Sequence, residues 1–236
     1  MHVAREGVRV TNGADRHEAA RRLEAEFVAF VEDASFPCLA GKGVLHRGNH
    51  TLRVYDGLGT EVAAAQLADD LREFVHATPA DGAGMRAFVA VFQGPAPADE
   101  IAFERRLWRQ LQRLHEHDDP GVAWDRTVSA DPESAQFSFS FGGHALFVVG
   151  MHPASSRLSR RFAWPALVFN PRSQFERLRS EGHFERLRTL VRERDVALQG
   201  TANPNLADFG ERSEARQYSG RATEPEWRCP FHRKSP

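Results

Sequence analysis

Three groups of residues in this chain carry side chains able to do chemistry. The first lies in the segment 147–171, FVVGMHPASSRLSRRFAWPALVFNP, where a polar stretch separates two apolar runs. His152 there can ligate a metal, and Pro153 biases it to an extended conformation that carries an apolar strand to its end. Ser155, Ser156 and Arg157 add hydroxyl and guanidinium donors that suit a carboxylate or phosphate. Arg160 and Arg161 are neighbours and do not share a face in regular structure, so one of them joins Arg157. A solvated basic loop accounts for the same spacing. The second group is Cys38, in FPC before Gly41 and Gly43. Proline and glycines around a thiol suggest a fixed, accessible ligand or nucleophile, while the plain alternative is a small buried hydrophobe. The third is the C-terminal stretch, with Glu211 and Glu214 among amides and arginines, and then Cys229-Pro230. Its carboxylates could hold a guanidinium through forked hydrogen bonds, or could form an Arg–Glu network that pins the tail.

Common signatures are absent. There is no GxGxxG after a strand, no GxxxxGK[ST], no HExxH and no GxSxG, so nucleotide hydrolysis and dinucleotide redox lose support. The Gly41-Lys42-Gly43 run lacks the spacing of a phosphate loop. Net charge is -1 at pH 7, which provides no bulk field toward nucleic acid or anionic lipid. Among the 31 basic residues, Lys42 and Lys234 are the lysines and the rest are arginine. Two well-separated cysteines exclude a disulfide framework and a CxxC pair. Apolar runs such as ALFVVGM are too short to cross a bilayer, and the N-terminus lacks the apolar core of a signal peptide. A cytoplasmic protein without nucleic-acid or membrane partners is the expectation.

The elements that must position these groups follow from periodicity. Residues 1–13 read as a flexible leader, and 14–236 as one domain whose last part, 200–236, is an irregular tail. Asp15 could cap a helix through Asp33, with Ala20, Leu23, Phe27, Phe30 and Val31 recurring at helical spacing. SFPCLAGKG breaks the pattern, and VLHRGNHTLRVYDG reads as a strand or hairpin. Thr60 opens a helix with Val62, Leu67, Leu71 and Val75 on one face. MRAFVAVFQG is a strand. After PAPADE comes a helix with Ile101, Phe103, Leu107, Leu111 and Leu114. Phe137, Phe139 and Phe141 alternate with serines before Gly142-Gly143, predicting a hairpin. PALVFN is another strand, and residues 173–198 a long charged helix with a kink at Gly182. The tail's Leu206, Phe209, Tyr218, Trp227 and Phe231 argue that it packs. The fold class is α+β: a mostly antiparallel sheet packed by helices, with the tail over the domain.

FPCLAGKG, FSFSFGGHALFVVGMHPASSRLSRRFAWPALVFNP, RDVALQGTANPNLADFGERSEARQYSGR and WRCPFH together resemble the YqcI/YcgG family, from about Phe27 to His232. That family's characterised branch includes haem-dependent N-hydroxylases of guanidino compounds, of the guanitoxin-biosynthesis type. The resemblance implies an oxidoreductase (a monooxygenase or peroxygenase) with a b-type haem and its iron. It would N-hydroxylate a guanidino or amino group of a small arginine-like metabolite, using O2 with an electron donor, or peroxide. Such a haem needs an axial ligand, an apolar slot and cations for its propionates. His152 is the first choice for the ligand, followed by Cys38 and Cys229. Ser155, Ser156, Arg157, Arg160 and Arg161 would serve the cofactor. Arg157 and Asn170 are the candidate catalytic groups, and Glu211 and Glu214 would meet the substrate. A zinc enzyme using Cys38, Cys229 and a histidine, or a non-catalytic haem- or anion-binding protein, are the rival expectations.

Overall fold

The computed structural model describes residues 13–79, 81–207 and 209–233, so the expected leader lies outside the described residues up to position 12. In chain order the elements are α1 (Gly13–Glu32), α2 (Leu39–His46), β1 (His50–Asp56), α3 (Glu61–His76), β2 (Ala87–Gln93) and α4 (Glu100–His117). They continue with β3 (Phe139–Phe141), β4 (His144–Met151), a 3-10 turn (Leu158–Arg160), β5 (Ala166–Pro171), α5 (Ser173–Ser180), α6 (Phe184–Gln199) and α7 (Ala215–Tyr218). The strands form one open sheet in the order β1-β2-β5-β4-β3. β1 and β2 are parallel, and every other pairing is antiparallel. This is the expected α+β class. The one parallel pair exists because α3 lies between its strands, a crossover that a tight turn cannot provide.

Both faces of the sheet are covered, and side-chain alternation sorts the residues between them. On one face Phe88, Phe92, Val148, Leu167 and Phe169 pack against Leu67 and Leu71 of α3 and Phe103, Leu107 and Leu111 of α4. On the other, Val89, Val91, Met151 and Val168 meet Leu23, Phe27 and Val31 of α1 and Val44 of α2. Thr60 and Asp99 cap α3 and α4 through their side-chain oxygens, accepting from Ala63 N at 3.2 Å and Ala102 N at 2.7 Å. Val62 and Ile101, expected on the buried stripes, are instead 64% and 48% exposed. Each lies in a first turn, off the stripe that the later residues of its helix define.

Three local expectations need correction. The region around Cys38 is not simply broken: α2 starts at Leu39, with the Cys38 sulfur accepting from Gly41 N at 3.3 Å. The glycines weaken this helix by about 1 kcal/mol each relative to alanine. Packing of Val44 and Leu45 into the α1-side core offsets that weakness. Because α2 takes up VLH, only a single strand follows it. The long charged helix is two helices, α5 and α6, separated at Gly182, whose φ of +73° no helix interior allows. The hairpin is as expected: Gly142 and Gly143, at φ +57° and +77°, form the two-residue turn between β3 and β4. The tail is irregular apart from α7, and it packs: Tyr218, Cys229 and Phe231 are buried in the α4-side core. Among the described residues, no helix is long and apolar enough to cross a membrane.

Two positions in and after β4 are tightly constrained. A Cβ added to Gly150 would lie 2.7 Å from both the Phe103 ring and the Tyr218 carbonyl oxygen. His152, fully buried, stacks on Phe103 with centroids 4.1 Å apart, and neither ring nitrogen has a hydrogen-bond partner. Burial pushes its pKa from 6.5 down to about 4, with Glu100 partly opposing. Two outcomes are expected. Gly150→Ala destabilises the fold by roughly 1–3 kcal/mol, read as a lower Tm, because α7 and α4 must move away from β4. His152 stays neutral in the fold while the unfolded chain takes up a proton below about 6.5. Its contribution is therefore complete above that pH and is lost as pH falls toward about 4. Chemical denaturation of the protein and of His152→Leu across this range should differ by a pH-dependent part of about 3 kcal/mol.

Candidate functional site

A largely apolar cavity of about 370 Å³ lies on the α1/α2 side of the sheet. This is within the usual size of small-molecule sites. Its floor is made by Val89 of β2, Val149 and Met151 of β4, and Val168 of β5. Phe27 and Val31 of α1 and the start of α2 form one wall. Phe175 of α5, Leu187 and Val191 of α6, and Leu206 and Phe209 in the segment before α7 form the other.

Polar groups also line this apolar box. Cys38 lines it as the N-cap of α2. Burial raises its thiol pKa, and the N–H groups of Gly41 and Ala40 and the charge of Arg160 pull the other way. The resting group is therefore the thiol, held where backbone donors and a cation would stabilise a thiolate. Arg160 also lines the cavity, donating to Gly150 O at 3.0 Å and to Gln217 O at 3.4 Å. Desolvation lowers its pKa to about 10, which leaves it charged at neutral pH. Asn170 donates its amide to Phe147 O at 3.2 Å. Glu214 accepts from Arg172 Nη1 at 2.9 Å, from Tyr218 Oη at 2.7 Å and from Ser138 Oγ. Burial raises its pKa despite these donors. The Arg172 guanidinium also lies 3.4 Å from the centroid of the Phe209 ring.

The charge of the lining is lopsided. Arg160, Arg172, Arg179, Arg188, Arg192 and Arg212 face it, against Asp195 and Glu214. Asp195 is matched by Arg157 and Glu214 by Arg172, while Arg179 and Arg188 pair with Glu176 and Glu185 outside the lining. Arg160, whose bonds go to backbone carbonyls, is the cation best placed to meet a carboxylate of an occupant.

The structure thus brings Cys38, Arg160, Asn170 and Glu214 to one cavity, and places the other expected residues elsewhere. His152 follows Met151, and strand alternation turns it to the opposite face, against Phe103. Arg157 is buried behind the wall, paired with Asp195 and donating to Thr201 O at 3.1 Å. Arg161 donates to Ser155 O at 2.7 Å, and Ser156 donates its N–H and hydroxyl to Glu100 at 2.8 and 2.7 Å. Those bonds shape the loop. Ser155 is buried with its hydroxyl unpartnered. Glu211 is exposed. Cys229 lies in the α4-side core, where burial pushes its thiol up to about 12. The two cysteines therefore pack on opposite faces of the sheet. Among the described residues no group of three His, Cys, Asp or Glu side chains could hold a metal, so the zinc arrangement is not formed.

His50 and the α5–α6 arginines escaped the sequence analysis. His50 lines the cavity, its Nε2 3.0 Å from Glu24 and its Nδ1 buried without a partner. A carboxylate behind a histidine with one free nitrogen is the pattern of a supported ligand. Nothing in the local sequence marks His50. The arginines had a signal in the Phe184, Leu187, Val191 spacing, which gives their charged helix an inward face.

Comparison with known proteins bears on this arrangement. The chain is 29% identical over 224 residues to "Uncharacterized protein YcgG" of Bacillus subtilis (strain 168), covering 89% of this chain and 87% of that one. It is 29% identical over 210 residues to "Putative N(omega)-hydroxy-L-arginine synthase DcsA" of Streptomyces lavendulae, covering 84% and 77% respectively. A third relative, "Uncharacterized protein YqcI" of Bacillus subtilis (strain 168), is 32% identical over 135 residues, covering 55% and 52%. No solved structure gives a significant match. The model of the YqcI/YcgG family matches residues 27–232, a span that holds all five strands and every wall of the cavity, and the chain belongs to that family.

Proposed function

We propose that this protein is a haem-dependent oxidoreductase that N-hydroxylates a guanidino or amino group of a small arginine-like metabolite, with Cys38 as the residue that would hold the haem iron. The observation that carries the proposal is the Cys38 sulfur on the wall of an apolar, arginine-rich cavity. The relative from Streptomyces lavendulae, named for N-hydroxyarginine synthesis, supports the choice of reaction. The residues fit the group: a soft ligand, an apolar slot, and cations for two propionates are all present in one cavity.

A bound haem would supply the activation of O2 or peroxide that no side chain can provide. The chain's own residues would do the rest. The N–H of Gly41 donates to the Cys38 sulfur and holds it in place. Arg160 and the α5–α6 arginines would meet carboxylates, whether of propionates or of the substrate. Glu214 Oε2 accepts from Arg172 and keeps a lone pair for one N–H of a guanidine. Asn170, its amide nitrogen tied to Phe147 O, keeps its carbonyl oxygen as a further acceptor. The apolar walls exclude water, which strengthens each of these contacts. A second ligand choice is favoured by one observation, the unpartnered Nδ1 of His50.

Reconstitution with haemin tests the proposal. The expected protein has a Soret band and a ferrous–CO spectrum shifted to the red in the manner of a thiolate ligand. Cys38→Ala should lose that shift, while His50→Ala, His152→Ala and Cys229→Ala should keep it. With L-arginine and peroxide, or O2 and a reductant, mass spectrometry should find a product heavier by one oxygen atom. Failure to take up haemin would overturn the proposal, and an unchanged spectrum in Cys38→Ala would move the ligand to His50.

A further inference from the structure

Two residues on the cavity wall, Glu214 and Phe147, lead away from the cavity to the same side chain, Tyr218. The Tyr218 ring lies 5.8 Å from Phe147, edge to face, and its hydroxyl donates to Glu214 Oε1 at 2.7 Å. On its other side Tyr218 stacks on Trp108, with centroids 5.7 Å apart and planes inclined by 24°. Trp108 in turn lies 6.1 Å from Trp227, which is only partly buried. Tyrosine and tryptophan are among the side chains most easily oxidised by one electron, and electron tunnelling falls off steeply with distance. Rings in contact are therefore a conduit.

We infer that Tyr218, Trp108 and Trp227 form a relay that carries oxidising equivalents from the cavity to the protein surface. The inference rests on the oxidative chemistry proposed for the cavity. The oxidant is the one-electron oxidant generated when peroxide meets the bound cofactor. It takes an electron from Tyr218, whose phenolic proton crosses the existing hydrogen bond to Glu214. Trp108 then returns an electron to Tyr218, which recovers its proton from Glu214. The Trp108 indole N–H is buried without a partner, so the oxidised ring keeps its proton and takes an electron from Trp227. Trp227 releases its indole proton to water. The net change is one electron from Trp227 to the oxidant and one proton to solvent. The Arg216 guanidinium, 5.3 Å from the Trp227 ring centroid, disfavours a cation on that ring and so favours loss of the proton.

Packing alone does not account for these residue types. The surrounding core is built from phenylalanines, among them Phe103, Phe137, Phe139 and Phe231. A buried indole N–H without an acceptor costs free energy that phenylalanine would not. Trp124 carries the same unpartnered N–H, but its ring neighbours are His115, Phe137, Phe139 and Phe231, with the Arg233 guanidinium 6.0 Å from its centroid, and so it lies off the path. The position of Glu214 suits the proton step, since burial makes it a better base than a solvated carboxylate.

The test treats haemin-loaded full chain with hydrogen peroxide, without substrate, and follows freeze-quenched samples by electron paramagnetic resonance. The expected result is a tryptophanyl radical that forms as the oxidant decays. In Trp108→Phe the radical should stop at Tyr218 and show a tyrosyl spectrum, and Soret bleaching should accelerate several-fold. Trp227→Phe, a change at a partly exposed site, should leave the radical buried and hasten bleaching in the same way. Haem-loaded protein with no aromatic radical, or with a radical and bleaching rate unchanged in both variants, would overturn the relay alone. A chain that takes up no haemin would overturn the relay together with the function on which it rests.

Discussion

Buried arginine–carboxylate pairs are the constraint on which this fold depends. Glu104 on α4 pairs with Arg221 at 2.8 Å, Arg172 after β5 with Glu214 at 2.9 Å, and Arg157 with Asp195 on α6. In each pair one partner belongs to α6 or to the segment that follows it. Apolar contact also draws that last part of the chain inward, but contact is non-directional. The pairs fix where it docks, because a buried charge without its partner costs on the order of 3–5 kcal/mol. Bidentate, always-charged arginine suits this role in a way lysine does not, and the chain has almost no lysine. The cavity is a by-product of the same docking: its outer wall is the segment that these pairs hold.

Much of the architecture was legible in the sequence, for identifiable reasons. Helices α3 and α4 each bury one stripe and carry a capping oxygen, so periodicity and caps agree. The paired glycines of the β3–β4 turn admit few backbone alternatives. The helix α2 was hidden because it holds two glycines and follows Pro37, and its cap is a sulfur rather than a Ser, Thr, Asp or Asn. The break at Gly182 was placed correctly but read as a kink, since the charged repeat continues across it.

The site was less legible, and strand geometry explains why. A sheet buried on both faces yields strands that are apolar throughout, so nothing in FVVGM marks which residues face which layer. His152 was judged by its arginine neighbours, yet it points to the α4 side while Arg160, eight residues on, lines the cavity. Cys38 and Glu214 were named for their chemistry, and the fold brings both to one cavity. The α5–α6 arginines were left without a role because charge is the dominant local signal and the apolar stripe beneath it is sparse. A tally of cations in sequence cannot distinguish those that hold the backbone, such as Arg157 and Arg161, from those that face the box.

The cavity walls draw on residues from Phe27 to Gln217, nearly the whole span of the family match. No chain that stops short of Gln217 can assemble them, because the outer wall draws on residues up to that point. An occupant can therefore be captured only once the chain through Gln217 has been made. An occupant that binds the folded chain alone would then stabilise the docked C-terminal segment by mass action, growing with the logarithm of its concentration over its dissociation constant. Supply of that occupant would set how much of the protein persists, as well as how much of it works.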